Sequence, residues 1–147
     1  MTSDAEGIVV DAGAMVEALV GAGARADAIR AALALHDAAA PDLLPYEAAN
    51  VLRRLERAGT IPASSAARAF GDLCRAPVTY WPFAAVSGRV WELRGTVGAY
   101  GAAYVALAEE LRCPLLTVDA RLASAPGLRC GVMVLPQDGP EPAGSSG

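Results

Sequence analysis

The chain has 147 residues, 54% of them hydrophobic, with a formal net charge of −4. A chain of this length is expected to form one domain that buries about 70% of its unfolded surface and needs no disulfide or structural metal, and the hydrophobic share excludes a disordered chain. All twelve cations are arginine and there is one histidine, so lysine-based phosphate loops, Schiff bases and general bases are excluded, and any histidine-dependent zinc or nucleophile site would rest on His36 alone.

In chain order, residues 7–10 predict a short strand ending in the acid Asp11; the run Ile8, Val9, Val10 suits a strand covered on both faces. Residues 12–20 predict a helix stopped by Gly21 and Gly23, and residues 25–38 a second, alanine-rich helix that carries His36 on its surface. Residues 41–45 read as a connector, with Pro45 placed for the first turn of a helix over 46–58 that Gly59 ends. Pro62 opens another helix, to about Leu73. Residues 78–81 predict a strand stopped by Pro82, and 83–94 a helix. Residues 100–111 form the clearest amphipathic pattern, with Tyr100, Tyr104, Leu107 and Leu111 at helical spacing. Residues 114–119 predict a strand ending in a second acid, Asp119, and residues 132–135 a last strand. Strands separated by helices argue for an α/β fold with a mainly parallel sheet.

Cys74, Cys113 and Cys130 are odd in number and lack C-x-x-C spacing, so reduced, buried thiols are expected. Residues 1–7 are polar and acidic, with no basic region before the apolar run, which argues against a signal peptide and for a cytoplasmic protein. No apolar stretch approaches the roughly 20 residues of a membrane helix. Gly21-Ala22-Gly23 follows a helix-like segment rather than a strand and is discounted as a dinucleotide loop.

Asp11 and Asp119 each lie just past a predicted strand. Ligand sites in open parallel sheets form beyond the carboxyl ends of strands. If the two strands are neighbours, the carboxylates converge, and a cation between them relieves their repulsion. Oxygen-only ligands favour Mg²⁺ or Mn²⁺ over zinc. Both acids read equally well as helix N-caps. Glu47 is the third candidate: it sits in a first helical turn, where the dipole favours it, and shares a face with Asn50 and Arg54. Arg53, Arg54 and Arg57 cluster on the same helix, either as a solvated face or as a track for RNA phosphates. Trp81, Phe83 and Trp91 read as core or as a partner groove.

Three segments, IVVDAGAMVEAL from Ile8, LLPYEAANVLRRLERAG from Leu43 and TVGAYGAAYVALAEELRCPLLTVDARLA from Thr96, together resemble PIN-domain ribonucleases. They are most similar to the VapC-type toxins of bacterial toxin–antitoxin pairs. The resemblance runs from Ile8 to about Leu135, so residues 1–135 make one PIN-like domain and the Pro/Gly/Ser-rich residues 136–147 a disordered tail. It implies a three-layer α/β/α sandwich, Mg²⁺- or Mn²⁺-dependent endoribonuclease activity, a cognate antitoxin, an RNA substrate and a homodimer. It implies Asp11, Glu47 and Asp119 as catalytic residues and metal ligands. Two positions depart from the family: the remaining acid, directly after the tyrosine of AYGAAYVALAE, is Gly101, and the small polar residue two places after the first Asp is Gly13. Two metal ions about 3.5–4 Å apart supply a nucleophilic water, a phosphate clamp and help for the leaving oxygen, and loss of the fourth acid bears on the second ion. The alternative is a silenced PIN module that dimerises and binds antitoxin or RNA without cutting. A third reading, a phosphotransfer domain with Asp11 as nucleophile, is disfavoured by the absence of lysine.

Overall fold

The computed structural model describes residues 6–135. The expected tail over 136–147 lies outside the described residues. Five parallel strands form one sheet: β1 (Gly7–Val10), β2 (Asp37–Pro41), β3 (Val78–Trp81), β4 (Leu115–Thr117) and β5 (Val132–Val134), in the order β3-β2-β1-β4-β5. β1 is the middle strand, with Ile8, Val9 and Val10 fully buried, as its β-branched run requires. It pairs with β2 through Ile8 and Ala38 and with β4 through Val10 and Leu116.

Helices α1 (Ala12–Val20), α2 (Ala24–Leu35), α3 (Leu44–Arg57) and α4 (Ala63–Arg75) pack on one another. Helix α6 (Ala99–Leu111) packs on β1, β2 and β4, with α5 (Ser87–Glu92) against it, and a short α7 (Ala120–Ala123) follows β4. The result is the expected α/β/α sandwich. Its core is a continuous set of buried side chains, among them Ile8, Ile29, Leu44, Leu107, Leu115 and Leu116.

The sequence reading needs correction in four places. First, residues 37–41 are a strand rather than the end of a helix and a connector. Helix α2 stops at Leu35, with the extended His36 as its cap and the His36 Nδ1–H donating to Ala32 O at 2.8 Å. The Asp-Ala-Ala-Ala-Pro segment lies between β1 and β3, and its ladder hydrogen bonds and the burial of Ala39 and Ala40 outweigh the helical preference of alanine. Pro41, which has no N–H to give, stands at the strand's last pairing position.

Second, the single helix expected over 83–94 is a 3₁₀ turn at Phe83–Ala85, helix α5, and a second 3₁₀ turn at Leu93–Gly95, broken by Val86 at φ −125°. Third, α6 is not amphipathic: residues 102–108 are all buried, so it is a central helix covered on every side. Fourth, none of the three cysteines is buried, Cys74 being exposed and Cys113 and Cys130 partly covered, and Phe83 and Trp91, at 65% and 68% exposure, stand outside the core, against the core half of their reading. Trp91 instead stacks under the Arg94 guanidinium, 4.4 Å from the ring centre. The three cysteines are free, as expected.

Candidate active site

Strand order reverses between β1 and β4: the chain adds β2 and β3 on one side of β1, then places β4 on the other. In doubly wound sheets a crevice opens at that switch point, beyond the carboxyl ends of the strands. Here the crevice is a cavity of about 450 Å³ whose wall includes Asp11, Glu47, Gly101, Tyr104, Asp119 and Arg121. The three acids singled out from the sequence therefore meet in one place, carried by β1, α3 and β4.

Asp11 is buried at the end of β1 and caps α1, with Oδ1 accepting from the Ala14 N–H at 2.8 Å. Its Oδ2 accepts from the Thr117 hydroxyl. Thr117 in turn accepts from the Asp119 backbone N–H at 3.0 Å, so one hydroxyl ties the ends of β1 and β4 together. Asp119 caps α7 through the Arg121 N–H at 3.0 Å. Both capping and convergence hold: each carboxylate oxygen has two lone pairs, and a cap uses one. Glu47 stands in the first turn of α3, where Oε1 accepts from the Tyr104 hydroxyl at 2.8 Å.

The electrostatics set these groups apart. Burial pushes the Asp11 carboxyl above its ordinary value, against the lowering effect of the Thr117 and Ala14 hydrogen bonds, and Asp119 adds to the rise. Burial raises Glu47 too, opposed by Tyr104 and reinforced by the charge of Asp11. Asp119 moves the other way, because the Arg121 guanidinium hydrogen-bonds its carboxylate. Arg121 is 91% exposed at the cavity rim, and it is the cation on the cavity wall among the described residues. The Tyr104 phenol is driven far above its ordinary value by burial and by Glu47, so it remains a donor.

All the donors here are hard oxygens, with Asp11 buried, Glu47 half-buried and neither in an ion pair among the described residues, and that set fits Mg²⁺ or Mn²⁺. Among the described residues no three His, Cys, Asp or Glu side chains already stand as a ligand set. Asp119 is turned onto Arg121.

The two departures also lie on this cavity. A Cβ at position 101 would stand 2.9 Å from Val97 Cγ1 and 3.4 Å from Leu122 Cδ1, so the wall has closed over the place where a side chain would start. A Cβ at position 13 would meet Val118 Cγ2 at 3.1 Å and Asp11 Oδ1 at 3.7 Å. Two site residues escaped the sequence reading, Tyr104, read as core, and Arg121. Thr117 was visible only as the first residue of the T-x-D segment.

A family model for the PIN domain matches residues 8–128. The chain belongs to this family. Within it, the chain is similar to the ribonucleases VapC9 and VapC1 of Mycobacterium tuberculosis. It is 40% identical to VapC9 over 130 residues, which is 88% of this chain and 99% of that one. It is 41% identical to VapC1 over 128 residues, 86% and 96% of the two chains. These matches place it among the VapC-type PIN proteins. The fold is shared with the crystal structure of M. tuberculosis VapC20, described as a sarcin-ricin-loop-cleaving toxin (TM-score 0.60, 14% identity, 80% of this chain and 93% of that one). It is shared as well with VapBC2 of Rickettsia felis bound to a DNA fragment from its promoter (TM-score 0.61, 12% identity, 86% and 98%). Among the described residues no helix is long and apolar enough to cross a membrane.

Proposed function

We propose that this PIN protein is a metal-dependent endoribonuclease toxin, and that Asp11, Glu47 and Asp119 carry its activity. The observation that supports this most is the convergence of three carboxylates, from elements far apart in the chain, in one cavity at the sheet's switch point. The VapC relatives named as ribonucleases support the same reading.

Asp11 and Asp119 would hold Mg²⁺ or Mn²⁺, with Glu47 completing the set. The bound ion would lower the pKa of a water and neutralise charge on the phosphate. The chain's own residues do the rest. Thr117 fixes Asp11 relative to Asp119. Glu47 has Oε1 engaged by Tyr104, so Oε2 is the oxygen that takes the proton from the attacking water. Water oxygen attacks phosphorus, the bond to the departing ribose oxygen breaks, and that oxygen takes a proton from solvent in the open cavity as it leaves, while the proton on Glu47 is later released to solvent. Arg121, at the rim, meets a non-bridging phosphate oxygen once Asp119 has turned to the ion.

The exposed Arg53, Arg54 and Arg57 run along α3 away from Glu47 and carry the flanking RNA phosphates; no ion pair holds any of the three among the described residues. The acidic cavity also accepts a basic segment of a cognate antitoxin, the protein works as a homodimer, and its substrate places it in the cytoplasm. Gly101 favours a second reading, a module that binds antitoxin or RNA without cutting, because the cavity wall lacks a fourth carboxylate.

The test is cleavage of a mixed RNA pool by the purified chain with Mn²⁺ and with EDTA. Cutting that needs the metal and is lost in Asp11→Asn, Glu47→Gln and Asp119→Asn supports the nuclease. Cutting only by Gly101→Asp supports the silenced module. No cutting by either folded protein refutes the assignment for the RNAs in the pool.

A further inference from the structure

The buried segment of α6 over 102–108 reads Ala-Ala-Tyr-Val-Ala-Leu-Ala, and Tyr104 carries its only polar side-chain atom. A phenol hydroxyl in a core is costly unless it is paired, and phenylalanine would fill the same space without it. Tyr104 is 3% exposed, yet its oxygen reaches the cavity wall. It donates to Glu47 Oε1 at 2.8 Å. One hydroxyl thus joins the start of α3 to the middle of α6, on the wall of the cavity that Asp11 also lines.

We propose that Tyr104 is a positioning residue for Glu47: its hydroxyl fixes Oε1 and leaves Oε2 for the ion or the water. This rests on the metal-nuclease reading above. A glutamate has three rotatable side-chain bonds, and a tether at one oxygen removes freedom that ion binding would otherwise have to remove. Gly101, one turn earlier on the same helix, brings no carboxylate of its own, so the set that binds the ion depends more on Glu47 being correctly aimed. Groups that orient metal ligands from behind typically change metal affinity or activity by about 10–100-fold when removed.

A calorimetric cycle tests this. Mn²⁺ is titrated into the wild-type chain, Tyr104→Phe, Glu47→Gln and the double variant, with thermal melts of all four. Tyr104→Phe is expected to weaken Mn²⁺ binding about tenfold in the wild-type background and to have no further effect in the Glu47→Gln background. On RNA, the same substitution is expected to lower kcat while KM holds. An equal loss in both backgrounds overturns the proposal, because Tyr104 then acts through packing. So does an unchanged affinity in a variant that melts like the wild type. If Tyr104→Phe does not fold, 3,5-difluorotyrosine at position 104 keeps the ring and strengthens the donor, and an unchanged Mn²⁺ affinity there overturns the proposal equally. A wild-type chain that binds Mn²⁺ but cuts no RNA refutes the nuclease reading, while the calorimetric cycle still decides the role of Tyr104. A wild-type chain that binds no Mn²⁺ overturns both.

Discussion

Gly101→Asp puts a fourth carboxylate on the cavity wall, and the structure sets what that substitution costs. Its Cβ arrives 2.9 Å from Val97 Cγ1, so the valine must shift. Overpacking of this kind costs about 1–3 kcal/mol. Repulsion from Asp11, Glu47 and Asp119 adds to it in the metal-free protein. Replacing glycine within a helix returns a few tenths of a kcal/mol, and an acid in the first turn of α6 returns about 0.3–1 kcal/mol. The metal-free variant is therefore expected to be less stable by about 1–2 kcal/mol, a fall of about 3–8 °C in Tm for a chain of this size. With Mn²⁺ most of that loss is offset. A tenfold tighter Kd is worth about 1.4 kcal/mol, and it stabilises the folded state by that amount at saturating ion. Scanning calorimetry with and without Mn²⁺ reads the two shifts, and a fluorescent RNA pool reads cleavage, expected to rise at least tenfold, the equivalent of about 1.4 kcal/mol in the barrier. Val97→Ala combined with Gly101→Asp relieves the contact and controls for it. If the double variant folds, binds Mn²⁺ no more tightly and cuts no faster, position 101 does not serve the ion and the reasoning fails.

Three further outcomes follow from the same geometry. In metal-free protein, Asp11→Asn keeps the α1 cap and is expected to melt above the wild type at pH 7. The folded-state pKa of Asp11 is raised, so the aspartate's contribution is intact below its ordinary value of 3.8 and is lost as pH rises through the folded value; the gap between the two melting curves should therefore close in acid. Glu109→Ala breaks the half-buried pair with Arg89 (2.7 Å) and frees the Arg129 N–H (2.7 Å), costing about 1–3 kcal/mol by thermal melt; the wild type loses that contribution as pH falls through the lowered Glu109 pKa. Arg53→Ala with Arg57→Ala is expected to weaken RNA binding and flatten the plot of log K against log salt by up to about 1.4, since each phosphate contact on a single strand contributes about 0.7. An unchanged slope would mean that the α3 arginines face only solvent.

The fold was legible where side chains announce their surroundings. Ile8-Val9-Val10 could only be an inner strand, and Pro45 and Gly59 bracketed α3 to within two residues. The alanines of β2 announce nothing: alanine suits a helix by propensity, and only the neighbouring strands make it a strand. The covered faces of α6 were hidden for a related reason, since small residues between the tyrosines look like a polar face's absence rather than a second buried one. Of the site, the acids were readable from their places after strands and in a first helical turn. Tyr104 was not, because its spacing marks it as core, which it is, and its hydroxyl's partner lies 57 positions away. Arg121 was invisible as a partner until α7 placed its guanidinium on Asp119.

The adjacency of β1 and β4 has a consequence for the order of events during synthesis. Asp11 leaves the ribosome early and Asp119 late, and the hydroxyl that links them belongs to the penultimate strand. Until β4 slides in beside β1, the nascent chain holds Asp11 and Glu47 without the residues that complete the cavity. Long-range strand pairing is slow relative to local helix formation, so the cutting apparatus is among the last things the chain assembles. A nuclease of the proposed kind, built this way, has a complete site only once β4 is in place, close to the end of synthesis.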